Sequence, residues 1–299
     1  LPVAVRSDWL HNSNDSFVHS HPAQRFEGIS PLVGDASVSR ARTRSGLKEI
    51  PELLARGPAT HASVQQQLFA NHNLIGEVVL PDLLSACQRT PPAQPAAVQA
   101  CAVLARWDRR SDSDSRGAHL FREFWRGARS LPQVYRLPAD PAQLLATPAG
   151  LNFADAATAA RLWTTLDEAA TRILRAGLAL DARLADVQRP AITDEPIGLH
   201  GGDEIEGVLN NLGDRAAPGI SSRGLRIDYG TSYVQTVGFD ERGPVAQALL
   251  TYGQSSDPAS PHATDQLRLF AQKRWPRLPF HPDEVAREQV GEPLRLQRP

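Results

Sequence analysis

The sequence predicts an α+β fold, on three changes of texture along its 299 residues. Residues 1 to about 35 are rich in Asn, Ser, Pro and Gly around short apolar pieces such as Ile29 to Val33, the composition of strand and loop. From about 40 to 196 apolar residues recur at helical spacing. After Pro196 apolar and polar residues alternate between Gly, Asp and Pro breaks, as antiparallel strands do. Strand, then helices, then strands is the order of a sheet that carries a helical insertion, with boundaries at 1–38, 39–197 and 198–299.

The least helix-like part is "HNSNDSFVHSHPAQRFEGISPLVG", residues 11–34, where Asn12, Ser13, Asn14, Asp15 and Ser16 follow one another beside Trp9 and Phe17. The bland reading is an Asx or ST turn, in which short polar side chains bond their own backbone. A helix is expected over Ser63 to Ala86, but Pro81 must end or kink it, so it should break in two. Cys87 and Cys101 flank a Pro-rich connection, Thr90 to Pro95, between two helical patterns, a natural place for an inter-helix staple. In an exported chain such a pair reads as a disulfide, worth roughly 3 kcal/mol by chain-entropy reasoning. Two buried thiols are the alternative, and no Cys or His stands at metal-ligand spacing around them. "RRSDSDSRG" at 109–117 reads as a flexible polar loop.

Over Asn152 to Ala176, the residues Ala159, Trp163, Leu166, Ala170, Ile173 and Leu174 form one stripe, with Asn152 able to cap the start and Gly177 placed to stop the helix. The blocks "GLHGGDEIEGVLNNL", "GLRIDYGTSYVQTVGFD" and "VAQALLTYGQSSDP" then supply the alternating, strand-like patterns.

Hydrophobic residues at 41% and charged residues at 22% are an ordinary globular balance. A net charge of −1 gives no electrostatic footprint for nucleic acid or an anionic membrane. No window approaches the roughly 18 apolar residues of a membrane span, and Leu1 to Val5 carries no signal-peptide pattern. A chain that opens on Leu1 and contains no Met is expected to be a processed subunit or a fragment.

A carboxamide has a use beyond turns, because its NH₂ is a neutral donor that can meet an oxyanion; removing one such donor typically costs about 10² to 10³ in rate. Asn14 or Asn12 can serve. A donor needs an attacker, and the chain has no G-x-S-x-G elbow, H-E-x-x-H, P-loop or G-x-G-x-x-G. His19 and His21 read as surface loop residues, while His200 and His262 are candidates by location alone.

"NSNDS", then "EGISPLVG", "RARTRSGL", "LPDLLSACQ", "ACAVLARWD", "GGD", "YGTSYVQTVGF" and "GQSSDPASPHATDQLRLFAQKRWPRLPF" resemble, in that order from Trp9 to Phe280, the second half of the β subunit of the penicillin acylase family. Within the family they resemble the acyl-homoserine lactone and aculeacin-type acylases. The resemblance implies an N-terminal nucleophile (Ntn) hydrolase with a four-layer αββα core, made as a periplasmic or secreted precursor that cuts itself into α and β chains. The first residue of β, a serine, would attack the acyl carbonyl with its own α-amino group as base. On that resemblance the serine lies outside this chain. The partners are the rest of β and the α subunit, no cofactor is needed, and the chain alone is inactive. Its substrate would be an N-acyl compound, an acyl-homoserine lactone or a penicillin.

Residue by residue, the resemblance matches Asn14 to the family's oxyanion-hole carboxamide and Arg42 to an arginine near the family's active site, which would orient Asn14 or the terminal amine by hydrogen bonds. An ordinary ion pair of Arg42 with Asp15 or Asp35 is an equally open reading. Asn12, Ser13 and Asp15 would support the site. Arg25 stands where some relatives place a calcium-binding aspartate and is unable to coordinate a cation, so no metal is expected. "SSDPASPH" is expected to pack near the core. A reading of another class is a non-catalytic binding or assembly module.

Overall fold

Residues 3–24, 26, 30, 32 and 39–297 are described by a computed structural model. The opening segment holds one 3₁₀ turn, Phe17–His19, and no strand among its described residues. The core strands expected over 1–38 are therefore absent from the described part, and Ile29 to Val33 lies largely outside it. Local turns take some of the groups that a strand would offer to a neighbour. His11 N–H donates to Ser20 O at 2.9 Å and His19 N–H to Ser16 O at 3.0 Å.

The helical region begins with α1 (Ala41–Leu54), α2 (His61–Leu68) and α3 (Leu74–Arg89). The expected break is present, but it falls at residues 69–73 rather than at Pro81, which sits inside α3. Asn71 turns the chain at φ 53°, and the Asn73 side chain restarts the helix by accepting from Gly76 N–H at 2.8 Å. A helix-interior proline costs about 3 kcal/mol. Burying each of Val79, Leu80 and Leu83, all fully enclosed, contributes roughly 1.5–3 kcal/mol, so packing outweighs the breaker.

α3 packs with α4 (Pro95–Leu104), α5 (Ala118–Ala128) and α6 (Ala156–Arg175) around Leu80, Leu83, Phe121, Phe124, Leu162 and Leu166. A Cys87–Cys101 disulfide joins α3 to α4 with 6.0 Å between the Cα atoms. In α6 the cap is Asp155, not Asn152; its carboxylate accepts from Thr158 N–H at 2.7 Å. The buried stripe is Thr158, Leu162, Leu166, Ala169, Ala170 and Ile173, rotated from the expected one because α4 and α5 press on that side. Leu174 is left 43% exposed, and Trp163 instead meets Phe153 at 5.0 Å between rings. Gly177 ends the helix at φ 77°.

The 109–117 segment is partly buried and tied down by hydrogen bonds, with Arg109, Arg110, Asp114 and Arg116 exposed. Ser111 and Ser115 are buried, with Ser111 N–H donating to Asn71 O at 2.8 Å and Ser115 Oγ to Asp108 at 2.9 Å.

The strands are short. β1 (Tyr135–Leu137) pairs antiparallel with β2 (Ala149–Leu151), Tyr135 opposite Leu151. α7 (Leu184–Val187) leads into β3 (Gln188–Pro190), which is followed by β4 (Leu212–Gly213), β5 (Leu225–Ile227) and β6 (Tyr229–Gly230). β4 and β6 are antiparallel, but β3 and β5 run parallel, against the expectation of antiparallel pairing throughout. The long connection between β3 and β5 makes a parallel return possible. Its "GLHGGDEIEGVLNNL" block turns through a 3₁₀ segment, Glu204–Glu206, locked by a reciprocal Asp203–Glu206 capping box.

β7 (Tyr233–Asp240) and β8 (Gly243–Leu250) form a hairpin, extended by β9 (Arg277–Leu278). α8 (Asp265–Ala271) lies against β8, and α9 (Pro282–Glu288) follows β9. A second core joins Phe69, Leu199, Leu225, Leu249, Leu267 and Phe270. The 254–263 loop is mostly exposed, with Ala263 its buried residue. The fold mixes helix and sheet, and the largest sheet among the described residues has three strands. No described helix is long and apolar enough to cross a membrane.

Candidate active site

The opening loop is seated on the first turns of α1. The residue before α1, Arg40, supplies no side-chain cap, and the first turn contains no acid. The exposed N–H groups of a helix start need an acceptor, and Asp15 provides it from across the loop. Its Oδ2 accepts from Arg40 N–H at 2.7 Å and from Thr43 Oγ1 at 2.6 Å, while Oδ1 accepts from Ser16 N–H at 2.8 Å. A carboxylate here also meets the positive end of the helix dipole. Burial opposes ionisation of Asp15, but these hydrogen bonds outweigh it and hold the carboxyl below the ordinary carboxylate range.

Asn14 has φ 58°, a left-handed conformation that asparagine enters more readily than other residues with a side chain. Its N–H donates to Asn12 Oδ1 at 2.8 Å. The Asx turn thus uses the Asn12 side chain and leaves that of Asn14 unspent. Arg42 Nη2 donates to Asn14 Oδ1 at 3.0 Å. A guanidinium has no acceptor, so Asn14 must present its oxygen to Arg42 and turn its NH₂ away. Among the described residues that NH₂ has no partner, and Asn14 is exposed.

Arg42 also lines a cavity of about 380 Å³ with Arg40, Trp125, Arg129, Tyr135 and Ile205. Asn14 is not on that wall. Trp125 Nε1 donates to Ile205 O at 2.8 Å, and burial pushes the Tyr135 phenol above its ordinary pKa. The Arg42 Nε is buried without a partner among the described residues.

His11 stands beside this loop without a motif to mark it. Its Nε2 shares a hydrogen bond with Ser13 Oγ at 2.8 Å, and its ring occupies the space that a Cβ on Gly46 would fill. The signal was Gly46 itself, a glycine inside α1, where it costs about 0.8–1 kcal/mol relative to alanine. Burial and the Arg42 charge lower the His11 pKa, against the pull of Asp15.

A buried polar frame ties α1 to the rest of the molecule. Ser45 Oγ donates to Gly207 O, and Arg44 donates to Pro148 O at 3.0 Å and Leu145 O at 3.2 Å. Behind Gly207, Glu206 accepts from Arg122 Nε at 2.9 Å, Asn73 Nδ2 at 2.8 Å and Asp203 N–H at 2.7 Å.

Of the histidines singled out in the sequence, two are placed differently from expectation. His19 and His21 are buried rather than on the surface, 6% and 7% exposed; the His21 ring lies 4.2 Å from that of Trp9 and 3.3 Å from the Asp8 carboxylate. His200 is enclosed, its Nε2–H donating to Phe270 O at 2.9 Å and its Nδ1 facing the Asn71 and Asn210 amides at 3.1 Å. Burial pushes it down to about 4, and Lys273 adds to the effect. It is a structural histidine. His262 sits on the surface, paired with Asp265 at 2.9 Å. Arg25 and Asp35 lie outside the described residues, among which no group of three or more His, Cys, Asp or Glu can hold a metal ion.

An amide donor fixed by an arginine at the end of a helix is an arrangement able to stabilise an oxyanion. The chain belongs to the penicillin amidase family, whose sequence profile matches residues 1–287. It is 33% identical to the acyl-homoserine lactone acylase PvdQ of Pseudomonas savastanoi pv. phaseolicola over 287 residues, which is 95% of this chain and 36% of that protein. It is 31% identical to the aculeacin-A acylase of Actinoplanes utahensis, covering 96% of this chain and 37% of that protein. A solved thermostable penicillin G acylase from Alcaligenes faecalis aligns at 13% identity with a TM-score of 0.46, over 96% of this chain and 56% of the other. The chain therefore spans little more than a third of the curated relatives' length.

Proposed function

We propose that this chain is the part of a periplasmic or secreted acylase that supplies the oxyanion donor for hydrolysis of an N-acyl amide, in an acyl-homoserine lactone or a penicillin-like compound. The chain is then a fragment of a four-layer Ntn hydrolase, and the remainder of the same protein carries the serine nucleophile. That serine attacks the acyl carbonyl, and its terminal amine takes the proton. The negative charge gathering on the former carbonyl oxygen meets the Asn14 NH₂, and the amine leaves with the returned proton. Water then releases the acyl group by the same route.

The observation that carries this reading is the Arg42 to Asn14 hydrogen bond of 3.0 Å. It spends the carboxamide oxygen and leaves the donor end available for a developing charge, which is how a preorganised donor differs from a turn residue. The Cys87–Cys101 bond fits an oxidising compartment.

The test is Asn14→Gly in the complete protein, assayed on a fatty acyl-homoserine lactone and on a penicillin. Glycine removes the carboxamide yet accepts φ 58°, whereas alanine would add backbone strain to the loss. The expected result is a fall of about 10² to 10³ in kcat with KM little changed. A kcat close to that of the parent would take Asn14 out of the chemistry.

A further inference from the structure

We propose that His11 is a positioning residue for the Asn14 carboxamide and that Gly46 is the seat that admits it. The inference rests on the acylase reading above, within which neither residue has an assigned role.

One face of α1 holds the loop at three places. Gly46 is four residues on from Arg42 and three from Thr43, so it neighbours both on the helix surface. Arg42 binds Asn14 Oδ1 at 3.0 Å, Thr43 binds Asp15 Oδ2 at 2.6 Å, and Gly46 lies under the His11 ring. The loop is thus fixed on both sides of the residue that must aim. On the far side, His11 N–H closes the loop by donating to Ser20 O at 2.9 Å, and its Nε2 bonds Ser13 Oγ at 2.8 Å. Asn14 follows directly and depends on Asn12 Oδ1 for its backbone turn. A side chain at 46 would overlap all the ring atoms that now lie nearest to it, so the imidazole would have to leave and carry residues 11–13 with it.

The neutral form of His11 suits this place, since burial and, after it, the Arg42 guanidinium disfavour a positive charge on the ring against the smaller pull of Asp15. Glycine is the least favourable helix residue after proline. Its presence in the middle of α1 is explained by the ring it accommodates, which lies where a Cβ would stand, among the buried Thr43, Arg44, Ser45 and Leu47.

The experiment compares His11→Ala, Gly46→Ala and the double variant in the complete protein, beside Asn14→Gly. Each single variant is expected to lower kcat about tenfold or more with KM within about twofold, the mark of a misplaced group rather than of lost binding. Alanine is the better helix former, so the Gly46→Ala loss does not come from melting α1. The double variant should match His11→Ala within about twofold, because without the ring the added methyl displaces nothing.

Amide hydrogen exchange over residues 11–16 supplies a readout independent of substrate. Faster exchange in both single variants, with α1 unchanged, supports the seat. Unchanged exchange in either, kcat within twofold of the parent in either while Asn14→Gly lowers it, or losses that multiply in the double variant would overturn it. If Asn14→Gly alone keeps full activity, the acylase role of Asn14 fails while exchange still decides whether His11 and Gly46 hold the loop.

Discussion

Arg42 reaches back 28 residues to the carboxamide oxygen of Asn14 and not to the adjacent carboxylate of Asp15. The sequence leaves both partners open, since a guanidinium beside an aspartate ordinarily pairs with it. Asp15 is already engaged by Ser16, Arg40 and Thr43, which hold it against the start of α1. The arginine is thereby released to hold a neutral group.

Replacing Arg42 should therefore misdirect Asn14 rather than unfold the protein. In the complete protein Arg42→Ala is expected to lower kcat by about 10-fold to 10²-fold. Arg42→Lys should recover little of it, because an ammonium on a flexible stem does not reproduce the planar fork. Steady-state kinetics on an N-acyl amide decide the point, and a lysine variant with full kcat would show that charge alone suffices.

Asp15 is predicted to act mainly through stability. Asp15→Ala strips the start of α1 of its acceptor, as losing an N-cap does, at a cost of about 1–2 kcal/mol. The carboxyl is held below its ordinary value, so its contribution is full above about pH 4 and lost as the pH falls through the folded-state pKa. A lower denaturant midpoint at neutral pH, with the difference from the parent shrinking in strong acid, is the expected outcome. An unchanged midpoint would argue that water caps the helix as well.

Acid sensitivity near neutrality should come from two buried histidines. Burial pushes His119 and His200 down to about 4, and His119 Nε2–H donates to Ala179 O at 3.0 Å. Both stay neutral in the fold while the unfolded chain takes up protons below about pH 6.5. Their stabilisation is full above that pH and is lost on the way down to about pH 4, at up to about 1.4 kcal/mol per pH unit for each. Denaturant midpoints measured between about pH 7.5 and about pH 5 should fall accordingly, and His119→Gln should flatten the slope. A midpoint independent of pH in this range would contradict the enclosure of these rings.

The Cys87–Cys101 bond closes a separation of 14 residues between α3 and α4. Replacing both with Ala is expected to destabilise by roughly 3 kcal/mol, read as a lower thermal midpoint, and a reductant should lower the parent's midpoint to a similar extent. Insensitivity to reductant would mean that the helical core holds the two helices together without the bond.

Local pattern carried some features well and others poorly. The end of α6 at Gly177 is written in the chain, because only a residue tolerant of φ 77° fits there. The break before α3 is not written at Pro81, because Val79, Leu80 and Leu83 bury enough apolar surface to keep a proline inside a helix. His19 and His21 look exposed by composition and are buried, His21 against Trp9 and beside Asp8. The parallel pairing of β3 and β5 has no local signature, since period-two alternation reads the same whichever way the neighbouring strand runs.

By itself the sequence determined the succession of textures, the two cysteines able to pair, and a row of short polar residues containing a carboxamide fit to donate. These are local properties, set by side-chain type, spacing and backbone preference. Only the tertiary structure decided that Arg42, Thr43 and Gly46 present one helix face to Asn14, Asp15 and His11. That choice depends on how a loop docks on a helix more than twenty residues further along the chain, and such a contact is selected by burial and hydrogen-bond satisfaction over the whole molecule.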